Sequence, residues 1–220
     1  MKTLNSIIGL GAIVVITLFA GCEATDVVAK HAKKSFSAAV AASGPLVAWS
    51  EELQSWTISS PDGDILSLAP EARFMLDAAP FVDAGLDFSR LQPSSGIGLG
   101  ADGNMIVRFD LGWENPDTGG SPSIDPAFAY FAENRRDRIG YHAALDHYGI
   151  DLGGGNMFEW AQDVSTNDKD IVFVLNPEPF IAAGIDPSRI KGWVFAKVET
   201  KDESGKMIQS EKLLKPFNLK

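Results

Sequence analysis

The sequence predicts an α+β fold made of two related β-rich halves, each with a strand, short helix, strand motif, plus one longer helix. Three observations predict it. First, residues 74–92 (FMLDAAPFVDAGLDFSRLQ) and 173–191 (FVLNPEPFIAAGIDPSRIK) are identical at nine of nineteen aligned positions, the mark of an internal duplication. Second, the runs around each copy are β-rich and broken by Gly- and Asp-containing turns. Third, residues 126–148 carry a helix start and stop: Asp125 as N-cap, Pro126 in the first turn and Gly149 as terminator. Of the 220 residues 45% are hydrophobic and one is a cysteine, so a hydrophobic core rather than internal disulfides must hold the chain.

Residues 1–21 have the layout of an export signal: Lys2, an apolar stretch from Ile7 to Ala20, then small residues. That stretch falls short of the roughly 20 apolar residues of a spanning helix and is broken by Gly9, Gly11 and Thr17. Leu18-Phe19-Ala20-Gly21-Cys22 resembles the lipobox of bacterial prolipoproteins, a likeness confined to residues 1–22. The resemblance implies that the Cys22 thiol receives a diacylglycerol and that cleavage leaves Cys22 as the new N-terminus. The protein is then expected at a cell membrane, lipid-anchored through diacylglyceryl-Cys22 and facing the extracytoplasmic side. Two acyl chains anchor firmly, at about 0.8 kcal/mol per buried CH₂.

Residues 22–44, Ala- and Ser-rich with Lys30, Lys33 and Lys34 clustered, read as a partly helical tether, with His31 a solvated surface residue. From Cys22 onward 18 basic side chains face 29 acidic ones. Such acidity excludes a nucleic-acid partner, which needs clustered cations, and implies a domain repelled by anionic headgroups that stands off the membrane.

The first half, 45–112, is expected to hold a hairpin at Trp56–Leu68 turning at Pro61-Asp62-Gly63, then the repeated motif, then a hairpin at Ile97–Leu111. Within the motif Asp77 and Asn176 can cap the turn after the first strand. Gly85 and Gly184 suit a left-handed helix end, and Asp87 and Asp186 can cap a second helical turn. Residues 113–125, rich in Pro, Gly and Ser, read as a linker. The second half, 126–220, adds the long helix, a buried strand at Ile171–Leu175, a strand at Gly192–Thr200 and a last strand from Lys206.

The densest group of functional side chains lies on the expected long helix. There Arg138, His142 and Asp146 would fall on one stripe at successive i, i+4 positions, with Arg135 and His147 nearby. With Trp160 these residues form the candidate ligand-binding set, Arg beside His being suited to an anionic group. The plainer reading of the stripe is a surface salt-bridge ladder, and of Trp160 a core residue. No metal set and no cofactor is indicated. Gly153-Gly154-Gly155 follows that helix instead of opening one, so it reads as a lid or chain reversal rather than a phosphate loop.

Gly98 to Gly103 spells G-x-G-x-x-G but precedes a strand, and Asp117-Thr118-Gly119 lacks a second copy to share a proton. Asp62-Gly63-Asp64 lacks the other positions of a calcium loop, and there is no G-x-S-x-G elbow. The expected function is therefore a noncatalytic, membrane-anchored module for a small molecule, peptide or envelope partner. The alternatives are a hydrolase using His142 or His147 with Asp146, Glu159 or Asp163, and a purely structural envelope protein.

Overall fold

The Ala-rich stretch behind Cys22 is not a slack tether but one continuous helix. In a computed structural model, which describes residues 13–15, 22–68, 71–111, 123–142, 145–163, 170–201 and 207–218, α1 spans Cys22–Ser43. The side chains of 13–15, 22–25, 198–201 and 207–208 are outside the description. So are most of the signal, the linker residues 112–122 with Asp117-Thr118-Gly119, and the turn at 202–206. Ala29, Ala32, Phe36 and Ala39 fall at helical spacing on one face of α1 and are 0–5% exposed. Small residues let the helix lie close, while the intervening Lys30, His31 and Lys34 remain in solvent.

Behind α1 the first half runs β2 (Val47–Ser50), β3 (Ser55–Ser59), β4 (Ile65–Leu68), β5 (Glu71–Leu76), α2 (Ala79–Asp83), β6 (Ile97–Leu99) and β7 (Met105–Asp110). The second half repeats it: α3 (Asp125–Asn134), β8 (Ile139–His142), β9 (His147–Gly153), β10 (Asn156–Ala161), β11 (Ile171–Leu175), α4 (Glu178–Ala182), β12 (Val194–Lys201) and β13 (Met207–Phe217). The sheets are antiparallel with matching strand orders, β2-β3-β4-β5-β7-β6 and β8-β9-β10-β11-β13-β12. A short β1 (Ile13–Val15) lies parallel beside Lys197–Glu199 of β12. The duplication thus covers the whole of each half, helix included, and α1 belongs to the first copy rather than preceding it.

The long helix is corrected. Asp125 is the first residue of α3 rather than its N-cap, a place taken by Ile124, and Pro126 does lie in the first turn; the helix ends at Asn134, and residues expected in its second half form the β8–β9 hairpin. Ala143 and Ala144 lie outside the described residues. The glycine triplet is a chain reversal between β9 and β10, with φ of 93°, 61° and 82° at Gly153, Gly154 and Gly155.

The repeated motif keeps its local devices in both copies. Asp77 accepts a hydrogen bond from the Ala79 N–H and Asn176 from the Glu178 N–H, at 2.9 and 3.1 Å. Asp87 and Asp186 accept from Ser89 and Ser188 in the same way. Gly85 and Gly184, at φ of 105° and 102°, end their short helices. These copies also touch each other. The Phe81 and Phe180 rings are 5.4 Å apart, Phe74 and Phe173 4.8 Å, and the Asp186 N–H donates to the Ala84 carbonyl at 3.0 Å. Contact between equivalent positions is the signature of a twofold relation. One continuous core results, closed on its helical side by Phe36 stacked on Phe128 at 4.0 Å.

Candidate functional site

Structure disperses the six candidate ligand residues. Arg135 closes α3, and its guanidinium donates to the Leu111 carbonyl at 2.8 Å. Arg138 ends the single helical turn Arg136–Arg138 and reaches the Asp151 carbonyl at 3.4 Å. Both arginines are half-buried and tie backbone together. Asp146 is an exposed turn residue at φ 58° that accepts a hydrogen bond from the Tyr141 hydroxyl at 2.6 Å. That bond, then burial and the Asp146 charge, push the Tyr141 phenol up to about 12.

Trp160 is fully buried on the inner face of its sheet, its indole N–H donating to Ser35 Oγ at 2.9 Å. His142 and His147 lie on the opposite face, as cross-strand partners in β8 and β9. Trp160 is therefore core, and the stripe of Arg138, His142 and Asp146 does not exist.

What does assemble is a buried pair. His142 Nδ1 stands 2.8 Å from Glu159 Oε1, with the side chains 0% and 2% exposed. The register explains how a β10 side chain reaches a β8 one. Gly140, Gly149 and Glu159 are aligned across three strands, so the only side chain in that row that could intervene is missing. A Cβ on Gly149 would stand 3.1 Å from Glu159 Cγ and 3.3 Å from the Phe158 carbonyl. Glycine here leaves room for the carboxylate's path, which a Cβ would crowd. The contact is close without hydrogen-bond alignment, and His142 Nε2 and Glu159 Oε2 have no hydrogen-bond partner among the described residues.

A general base must come within hydrogen-bond reach of its substrate. His142 and Glu159 are sealed from solvent, so their geometry gives them a structural, strand-linking part and does not suit them to act together as the base and carboxylate of a hydrolase. Among the described residues no group of three or more His, Cys, Asp or Glu is arranged to hold a metal ion.

The sequence signal that would have found this arrangement is a palindrome. Ile139-Gly140-Tyr141-His142 mirrors His147-Tyr148-Gly149-Ile150, and the hairpin pairs each residue with its own kind.

A second feature, open to solvent, lies on the helical side. An antiparallel groove of about 340 Å³ between α1 and α3 is lined by Asp26, Lys30, Lys33, Glu133 and Arg136 over a floor of Ala29 and Ala132. Lys33 pairs with Glu133 at 2.9 Å and Arg136 with Asp26. Comparison with family models, curated proteins and solved structures finds no match.

Proposed function

We propose that this chain is a lipid-anchored extracytoplasmic lipoprotein whose folded body is a noncatalytic binding module, with recognition on the α1/α3 groove. The observation that carries the reading is the place of the sole cysteine. Cys22 ends the lipobox-like run and is the first residue of α1, whose inner face is buried against α3 and the second sheet. An acyl group there would fix the body at the bilayer surface. No described helix is long and apolar enough to cross a membrane. The hydrolase alternative loses ground because His142 and Glu159 are inaccessible. The groove, by contrast, carries solvent-exposed charged side chains, among them Asp26, Lys30, Glu133 and Arg136.

The test is the mass of the N-terminal peptide from full-length protein expressed in a bacterium that processes lipoproteins. A peptide beginning at Cys22 and carrying a diacylglyceryl group is expected, and Cys22→Ala abolishes both the cleavage and the added mass. A wild-type peptide without acyl chains overturns the reading.

A further inference from the structure

We infer that the α1/α3 flank lies on the membrane and binds anionic phospholipid headgroups, which rests on the Cys22 reading above and names the ligand of the same groove. The attachment is stiff. With Ala29, Ala32, Phe36 and Ala39 packed, no slack chain separates Cys22 from the body. Lys30 and Lys34 follow Cys22 by 8 and 12 residues, about 12 and 18 Å along the helix axis. An acyl anchor at Cys22 would therefore keep Lys30 and Lys34 within about 12 and 18 Å of the headgroups.

Charge is segregated to suit. Six cations, Lys30, Lys33, Lys34, Arg135, Arg136 and Arg138, share this flank with five acids, Glu23, Asp26, Asp125, Glu133 and Asp137. From Cys22 onward the remainder has 12 cations against 24 acids, so a slightly positive flank sits on a strongly negative body. Lys33 pairs with Glu133, Arg136 with Asp26, and Arg135 and Arg138 with Asp137, so these cations and acids offset one another. Exposed Lys30 and Lys34 make no ion pair among the described residues. Two apolar side chains stand in solvent on the same two helices, Val27 at 56% and Tyr130 at 36% exposure. Lysine stems beside exposed Val and Tyr are the composition of an interfacial helix surface.

The net acidity that suggests a domain standing off the membrane therefore acts as an orienting force. The acidic bulk is repelled and the basic flank attracted, so the body is turned rather than pushed away.

The experiment reconstitutes the acylated full-length protein into vesicles of phosphatidylcholine alone and of phosphatidylcholine with phosphatidylglycerol, then follows amide hydrogen exchange. Peptides covering residues 26–38 and 125–138 are expected to exchange about fivefold more slowly on the anionic vesicles. That protection should be lost at high salt, and also in Lys30→Glu/Lys34→Glu, whose exchange elsewhere stays that of wild type. Equal exchange on both vesicles, or protection confined to the acidic faces, overturns the inference. Anchoring is read separately from the N-terminal mass. Should the acyl group be absent, a maleimide lipid coupled to the single thiol holds the chain at the same point, and the vesicle comparison stands alone.

Discussion

Glycine 149 shows how one missing side chain determines what two others can do. Glu159 crosses it to reach His142, and both end up almost wholly buried, at 1% and 0% exposure. Removing one member of a buried charged or polar pair strands the other, and the penalty exceeds the pair's own net worth. Glu159→Leu alone is therefore expected to cost about 3 kcal/mol in urea unfolding. His142→Leu/Glu159→Leu should cost clearly less than the two single changes together. A single-variant loss under about 1 kcal/mol would falsify the claim that the pair depends on mutual satisfaction. At this scale the sequence misleads for a physical reason. Ala143, Ala144 and Leu145 favour a helix, and helical spacing aligns Arg138, His142 and Asp146. Local propensity is outweighed by cross-strand pairing of Tyr141 with Tyr148 and by burial of Ile139 and Ile150.

Between elements, the polar link to watch is Lys215 of β13. Its ammonium is 9% exposed and forms ion pairs with Asp64 and, at 3.1 Å, with Asp62, so a strand of the second sheet grips the β3–β4 turn of the first. Burial alone would lower the Lys215 pKa, but the hydrogen bond and charge of Asp64, then those of Asp62, outweigh it and leave it raised. A raised folded value means the contribution is intact below the ordinary lysine range, about 10.4, and fades as pH climbs through the folded value. Lys215→Met leaves Asp64 buried without its cation and is expected to cost about 3–5 kcal/mol at neutral pH. From neutral pH upward, thermal scans should show the wild-type advantage over that variant narrowing above about pH 10.4. A gap that does not change up to pH 12 would mean the ion pair contributes nothing. Elements were legible where turn chemistry marks them, as at Pro61-Asp62-Gly63 and in the repeated motif. The packing of α1 was not, because its buried stripe is mostly alanine, which gives a weak apolar period.

Across the whole molecule, the duplication was readable from nine identities, but a repeat states only that two units are alike, not that they dock. The physical clue lies in which positions are identical. Phe81 and Phe180, and Gly85 and Gly184, meet between the copies, as do Ala84 and Asp186. A Cβ on Gly85 would approach the Gly184 carbonyl to 3.3 Å, and one on Gly184 would come within 2.6 Å of the Arg90 guanidinium. Either half alone would leave Phe74 or Phe173, Phe81 or Phe180, and Phe36 or Phe128 without the ring it packs on. Two sheets sharing one core should unfold as one unit. Thermal unfolding followed by tryptophan fluorescence and by far-ultraviolet circular dichroism is expected to give coincident single transitions. Phe81→Ala and Phe180→Ala should each lower that same transition by about 3–5 kcal/mol, although they lie in different copies. Two separable transitions, with each variant shifting only its own, would show that the copies are independent domains. A single transition moved from either side means that the twofold contact, rather than either sheet, sets the stability of the body.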